Sequence, residues 1–81
     1  MALHETIKRI RNDKGISQQQ TALGFLSQSN YSKFENGTIE ISSVALIGIL
    51  SNLNIELEEL LYIDNGYEYS EKEKIYRAFW Q

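Results

Sequence analysis

A short polar stretch in the middle of the chain could make several directional hydrogen bonds from one side of a helix. It offers one amide, two hydroxyl groups and one ammonium group, on Gln28, Ser29, Ser32 and Lys33. In the major groove of DNA, a Gln amide can pair bidentately with adenine, and Ser or Lys can reach other base edges or phosphate. The stretch therefore predicts a helix that reads bases. Taken alone, the same pattern also fits an ordinary solvated helix face.

The sequence around these residues predicts a short helix with defined ends. Ser27 is a suitable N-cap, because its hydroxyl can accept a free backbone N–H of the first turn. The pair Asn36-Gly37 supplies the left-handed residue that commonly ends a helix. Tyr31 and Phe34 are three residues apart, so they share a face and can anchor this helix in a core.

A second short helix is predicted just before it. Ser17 and Gln20 have the spacing of a capping box, and Ala22 and Leu23 are expected to form the buried side. Residues 24–26, which begin with glycine, form the turn. Two short helices joined by a tight glycine-containing turn are typical of a helix-turn-helix.

Basic residues precede these two helices. The spacing of Leu3, Ile7 and Ile10 predicts an opening helix that ends at Gly15, and Lys8, Arg9 and Arg11 project from its other sides. The net charge of the chain is −3, but residues 1–38 carry five Lys or Arg against three acidic residues. Residues 39–81 carry three Lys or Arg against eight acidic residues. The positive half thus contains the predicted reading helix, and Lys8, Arg9 and Gln18 are candidate phosphate contacts.

Two more helices are predicted after the reading helix. Ser42 or Ser43 caps the fourth, whose expected buried stripe is Val44, Ile47, Leu50 and Leu53, widened by Leu46 and Ile49. Residues 56–62 form the fifth, with Leu57, Leu60 and Leu61 expected to point inward. Its acidic first turn, Glu56, Glu58 and Glu59, suits the helix dipole and carries no catalytic expectation.

The turn at residues 64–67 marks the one plausible domain boundary. We expect a helix-turn-helix domain over residues 1–65, followed by a linker and C-terminal amphipathic helix over residues 66–81. The last helix opens with a capping box at residues 70–73 and carries an apolar ridge, Ile75, Tyr76, Phe79 and Trp80. The C-terminal ridge either folds back on the core or covers a partner, so it is a candidate dimer or partner surface.

Composition excludes several classes of function. The 81 residues contain no cysteine, no proline and only five glycines, which favours a single all-α domain without disulfides or thiolate metal sites. No apolar run is long enough to span a bilayer, and no secretory signal is present, so a soluble, cytoplasmic protein is expected. The single histidine, His4, is expected at a frayed N-terminus. We therefore predict no enzyme activity, catalytic residue, metal or cofactor.

These motifs resemble the Cro/repressor-type, or Xre-like, helix-turn-helix domain. The resemblance rests on ISQ at residues 16–18, SQS at residues 27–29 and SKFENG at residues 32–37. More narrowly, residues 7–11, 14–18, 41–42 and 60–63 resemble the N-terminal DNA-binding domain of Rgg-family transcription regulators. The similarity extends from about Glu5 to Tyr69. It implies a compact five-helix, lambda-repressor-like fold in which the third helix reads the major groove.

The resemblance also implies roles for individual residues. The family's base-contacting positions fall on Gln28, Ser29, Ser32 and Lys33, and its phosphate-contacting positions on Gln18 and Asn36, with Arg11 or Arg9 nearby. A buried ion pair of the family would fall on Arg11 and Glu35, so Glu35 is expected to be structural. Rgg regulators also carry a long C-terminal repeat domain that binds a signalling peptide, and this chain reaches only what resembles its first helix. Peptide binding is therefore not expected.

Two classes of function fit the sequence. The first is a sequence-specific DNA-binding transcription regulator that acts as a homodimer on two half-sites, because one small module rarely buries enough surface for tight binding. The second is a short interaction protein that pairs with a full-length Rgg-like regulator and antagonises it, or an antitoxin-type partner. The four polar residues of the reading face favour DNA binding, since an antagonist that uses only protein contacts does not need them.

Overall fold

The computed structural model describes residues 2–66, which form five α-helices and no strand. The helices are α1 (Leu3–Lys14), α2 (Gln18–Ala22), α3 (Gln28–Glu35), α4 (Ser43–Asn52) and α5 (Leu57–Asp64). α1 packs against α3 and α5, and α2 packs against α3 and α4. The all-α, five-helix prediction is confirmed. The predicted C-terminal helix, with Ile75, Tyr76, Phe79 and Trp80, lies outside the described residues.

Three serine N-caps set where the helices begin. The hydroxyls of Ser17, Ser27 and Ser42 each accept the backbone N–H three residues ahead, at 3.0, 3.1 and 3.1 Å. Ser17 also forms the predicted capping box with Gln20. These short-range interactions satisfy backbone donors that a helix leaves free, so the local sequence determines these boundaries.

All five helices contribute to the core. Its fully buried apolar side chains are Ile7, Tyr31, Ile49, Leu53 and Leu60. A polar contact joins the two ends of the described chain, since the Thr6 hydroxyl donates to Asp64 Oδ1 at 2.7 Å. His4 also lies in α1, half-buried, rather than at a frayed terminus as expected. None of the described helices has the length and apolarity that crossing a bilayer requires.

The predicted buried stripe of α4 is partly wrong. Leu50 and Leu53 are buried, but Val44 and Ile47 are 71% and 61% exposed. The inward side instead contains Ala45, Gly48 and Ile49. α4 has apolar residues on every side, so periodicity does not identify the buried face. The small residues on one side allow close packing against neighbouring parts of the chain, and that side faces inward.

Two other predictions of burial are also wrong. In α5, Leu60 is buried as expected, but Leu57 and Leu61 are 46% and 51% exposed. Leu23, directly after α2, is 69% exposed, and Thr21 within α2 is completely buried beside Ala22. Burial of Thr21 is tolerated because its hydroxyl donates to the Ser17 carbonyl at 2.8 Å. The α5 helix also begins one residue later than predicted, with Glu56 in the N-cap position.

Candidate nucleic-acid interface

The reading helix α3 has well-defined ends. Ser27 caps its start, and Gly37 follows its end with a φ of +76°, which glycine adopts without strain. The backbone N–H and the hydroxyl of Thr38 both donate to the carbonyl of Lys33, each at 2.9 Å, and so satisfy one of the last acceptors of the helix. A Cβ atom at position 37 would also lie 2.7 Å from His4 Nε2. The left-handed backbone conformation therefore favours glycine here, and a larger residue would also require the His4 side chain to move.

One side of α3 is anchored in the core. Tyr31, Phe34 and Glu35 are buried, and the rings of Tyr31 and Phe34 lie 6.0 Å apart at a tilt of 50°. The other side carries the four predicted base-reading residues. Gln28, Ser29 and Lys33 are exposed, and Ser32 is half-buried. The fold thus presents an amide, two hydroxyls and an ammonium group together on the outer face of one short helix.

A buried ion pair fixes α3 against α1. Arg11 Nε lies 2.5 Å from Glu35 Oε2, and Arg11 Nη2 donates to Glu35 Oε1 at 3.0 Å. The side chain of Glu35 is 1% exposed and that of Arg11 is 11% exposed. The remaining Arg11 nitrogen, Nη1, donates to the carbonyl of Ile16 at 2.9 Å, just before α2 begins. This bidentate pair therefore connects α1, α3 and the segment that leads into α2.

Gln18, at the start of α2, takes part in the same network. Its Nε2 donates to Glu35 Oε1 at 3.1 Å. The amide of Gln18 thus has a partner within the domain, a contact that the sequence analysis did not anticipate. A glutamine amide nitrogen has two hydrogens, and one such bond uses only one of them.

Charges in this network shift the pKa values of its members. Burial alone would raise the pKa of Glu35, but the hydrogen bond from Arg11, together with smaller contributions from Tyr31 and Gln18, outweighs burial, and the pKa is lowered. The hydrogen bond to Glu35 raises the pKa of Arg11 above its ordinary value. Tyr31 is buried beside the pair, and burial, with the Glu35 charge, raises the pKa of its phenol.

Two residues of α4 hold the turn between α2 and α3. Asn52 Nδ2 donates to the carbonyls of Thr21 and Leu23, both at 2.9 Å, where α2 ends. The ring of Phe25 lies against Gly48, so closely that a Cβ atom at position 48 would overlap it. The turn itself includes Gly24 with a φ of +85°. α4 therefore holds in place the turn that precedes α3, although it carries none of the predicted DNA contacts.

The other predicted phosphate contacts lie on α1 and at the end of α3. Asn36 is exposed directly after α3, whereas Lys8 is exposed and Arg9 is half-buried on α1. Because α1 packs against α3, these cations belong to the helix beside the reading helix. Within residues 2–66, no cluster of His, Asp or Glu is arranged to hold a metal ion.

Sequence reasoning missed Asn52, Gly48 with Phe25, and His4 with Gly37. Each of these contacts joins residues far apart in the chain. Only Gly48 carried a local signal for its contact, since a glycine inside a helical pattern often has a packing reason.

Two short helices are joined by a glycine-containing turn, and the second of them has one buried and one polar face. This arrangement defines a helix-turn-helix DNA-binding domain. The helix-turn-helix family matches residues 7–60, and the chain belongs to that family. The structure is similar to the X-ray crystal structure of the Streptococcus dysgalactiae SHP pheromone receptor Rgg2, with a TM-score of 0.71 and 34% sequence identity. That similarity covers 84% of this chain but 24% of the receptor. No curated protein matches the chain significantly.

Family and structural similarity together identify a DNA-binding domain of the kind found in transcription regulators, with an Xre-like and Rgg-like fold.

Proposed function

We propose that this domain reads a specific DNA sequence by placing α3 in the major groove. Gln28, Ser29, Ser32 and Lys33 are the proposed base-contacting residues. One observation carries the proposal: α3 is fixed from behind by buried rings and an ion pair, while its outer face offers hydrogen-bonding groups and one cation. Rigid placement of such groups is what direct readout of base edges requires.

Phosphate contacts would hold the domain in register on the duplex. Lys8 and Arg9 on α1 and Asn36 after α3 are the proposed contacts, and Gln18 is proposed to add one through the amide hydrogen that Glu35 does not use. The contact between Gln18 and Glu35 would orient that amide before DNA arrives. These contacts supply affinity without sequence preference, so their signature is salt dependence.

The proposed binding form is a dimer on two half-sites about one helical turn apart. A single small domain of this kind buries limited surface on DNA, and two linked copies multiply both affinity and specificity. The two copies would place their α3 helices in two successive major grooves on the same side of the duplex.

A titration tests the proposal directly. The purified chain would be titrated against the duplex upstream of its own coding region and a scrambled duplex of equal length, at about 50 and about 200 mM salt. We expect binding to both that weakens with salt, together with a clear preference for the upstream duplex. Equal affinity for the two duplexes, or no binding, would contradict sequence-specific reading by α3.

A second candidate is an interaction protein that antagonises a full-length Rgg-like regulator. The observation that favours it is the exposed apolar surface of α4 and α5, which a partner could cover. A variant in which Gln28, Ser29, Ser32 and Lys33 are replaced by alanine distinguishes the DNA-reading function from the antagonist function. An antagonist working through protein contacts would retain its effect on the regulator, whereas a DNA reader would lose its function.

A further inference from the structure

Asparagine is followed by glycine at two places in the chain, Asn36-Gly37 after α3 and Asn65-Gly66 after α5. All four residues are exposed. An Asn-Gly pair can modify itself, because the following backbone nitrogen can attack the side-chain amide, and glycine has no Cβ atom to obstruct the approach. Both pairs are therefore candidate sites of spontaneous deamidation.

The reaction needs no enzyme, and water is its only co-reactant. At the first pair a bond forms between the Gly37 nitrogen and Asn36 Cγ, and the bond from Cγ to Nδ2 breaks. The Nδ2 atom leaves as ammonia, together with the proton that the Gly37 nitrogen gives up. Water then opens the resulting succinimide at either carbonyl group, which yields aspartate or isoaspartate. The net change converts a neutral amide into a carboxylate.

The end of α3 holds the two reacting groups apart. The ψ angle of Asn36 is −2°, so the Gly37 nitrogen nearly eclipses the Asn36 nitrogen, whereas closure of the ring brings it towards Cβ. The Gly37 N–H also donates to the carbonyl of Phe34 at 2.9 Å. The next N–H, that of Thr38, donates to the carbonyl of Lys33 and completes the cap. Ring closure at Asn36 therefore requires this cap to open.

The imidazole of His4 distinguishes the first pair from the second. A Cβ atom at position 37 would lie 2.7 Å from His4 Nε2, so the ring covers one side of Gly37. After α5, the Gly66 N–H donates to the carbonyl of Ile63 at 3.0 Å. Among the described residues, however, nothing lies within 4 Å of the place where a Cβ atom at position 66 would be. The two pairs thus share a hydrogen bond and differ in cover.

We propose that Asn36 is a site of spontaneous deamidation, that the cap at the end of α3 limits its rate, and that the product binds DNA more weakly. The last part rests on the proposed function, in which Asn36 contacts phosphate. A carboxylate at this position would repel the DNA backbone. It would also lie at the C-terminus of a helix, where the dipole disfavours negative charge. Protein that is not bound to DNA would therefore lose DNA affinity with age.

Bound DNA would itself slow the reaction at Asn36. A ligand that contacts only the closed form of the cap lowers the population of the open form. Asn65 is not a proposed DNA contact, so its rate is an internal reference. The chemical state of Asn36 would then distinguish copies that stayed on DNA from copies that did not.

Peptide mass spectrometry of the full 81-residue chain, incubated at mildly alkaline pH with and without urea, measures both sites. In urea, Asn36 and Asn65 should react at similar rates, since each precedes a glycine. In the folded chain, Asn36 should react about ten-fold more slowly than in urea, or slower still, because the reaction waits for local opening. Asn65 should be protected less. His4→Ala should speed the reaction at Asn36 and leave that at Asn65 unchanged.

The control Asn36→Gln keeps an amide but lengthens the side chain, so a five-membered ring cannot close and position 36 should stay unmodified. An Asn36 that remains intact while the unfolded chain is converted would overturn the proposal. Equal rates at Asn36 in the folded and unfolded chain would also overturn it, since the cap would then not limit the reaction.

DNA titrations test the consequence separately. Asn36→Asp reproduces one product, and it should weaken binding to the upstream and scrambled duplexes alike, by roughly ten-fold. Asn65→Asp is the matched control and should bind as the wild type does, and circular dichroism verifies that both variants fold. Adding the upstream duplex should slow deamidation at Asn36 only.

These measurements separate this inference from the proposed function. Wild-type affinity in folded Asn36→Asp, in a chain that does prefer the upstream duplex, would overturn the assigned consequence and leave the function. A wild-type chain that deamidates at Asn36 as expected but binds no DNA would contradict the proposed function, and with it the consequence, while the modification site would stand.

Discussion

Asn52 of α4 donates its side-chain amide to the carbonyl of Thr21 in α2, at 2.9 Å. The same nitrogen reaches the carbonyl of Leu23, also at 2.9 Å. The end of α2 leaves carbonyl groups without helical partners, and Asn52 satisfies two of them from another helix. The turn that aims α3 is therefore fixed by a residue 31 positions away in the sequence from Thr21.

Replacing Asn52 with Asp should destabilise the domain more than replacing it with Ala. Both changes remove the donor, which costs about 1–3 kcal/mol, but the carboxylate also repels the two carbonyl oxygens. Urea unfolding at neutral pH measures the difference. Ser51→Asp is the matched control, because it adds the same charge to the last turn of α4 without facing α2. If Ser51→Asp is as destabilising as Asn52→Asp, the helix dipole rather than the two hydrogen bonds explains the loss.

Gly48→Ala should lower stability, which is opposite to the usual effect of this change inside a helix. Alanine normally stabilises a helix by up to about 1 kcal/mol relative to glycine. At position 48 the added methyl group would overlap the Phe25 ring, and overpacking of this kind costs about 1–3 kcal/mol. Unfolding free energies of Gly48→Ala, Phe25→Ala and the double variant form a cycle. In the Phe25→Ala background, Gly48→Ala should become stabilising. A destabilising effect of the same size in both backgrounds would show that the ring is not the cause.

The ends of α3 could be predicted from sequence, because Ser27 and Gly37 act through bonds to residues at most three positions away. Its two faces could also be predicted, since Tyr31 and Phe34 are the only large apolar residues in it. The orientation of α4 could not. Val44, Ile47, Ile49 and Leu50 surround that helix, and the choice between them depends on how Gly48 fits Phe25.

The candidate site shows the same limit. Gln18 was identifiable as a polar residue at the start of α2, but its partner Glu35 lies 17 residues away on another helix. Whether the Gln18 amide reaches Glu35 depends on the angle between α2 and α3. Local sequence patterns carry no information about that angle. Asn52 had no signal at all, because an asparagine at the end of a helix is ordinary in sequence.

Arg11→Met should cost about 3–5 kcal/mol, since it leaves the buried Glu35 carboxylate without its counter-ion. The double variant Arg11→Met, Glu35→Leu should recover most of this loss, because two apolar side chains can replace a buried ion pair at little cost. Urea unfolding at neutral pH measures both. A double variant as unstable as Arg11→Met would show that the carboxylate is not the source of the loss.

The single variant Arg11→Met should reverse the effect of Glu35 on the pH dependence of stability. In the wild type the pKa of Glu35 is lowered, so its stabilising contribution is present above the ordinary value of about 4.3 and is lost as pH falls through the lowered pKa. In Arg11→Met, burial dominates and the pKa is raised. The variant should therefore lose stability, relative to the wild type, as pH rises from about 4 to about 7. A difference in unfolding free energy that stays constant over this range would contradict a buried, ionised Glu35.

Gln28→Ala should reduce sequence preference, whereas Lys8→Ala should reduce affinity for all DNA. If the exposed Gln28 amide reads one base pair, its loss costs about 1–3 kcal/mol on the preferred duplex and relaxes selection at that position only. Lys8 is proposed to contact phosphate, so its loss should weaken the preferred and scrambled duplexes alike and reduce the salt slope by about one unit. Titrations of both variants against both duplexes at several salt concentrations measure these quantities. Because Gln28 carries no charge, its removal should leave the salt slope unchanged. Equal weakening of the two duplexes by Gln28→Ala would mean that this residue positions the helix and does not read a base.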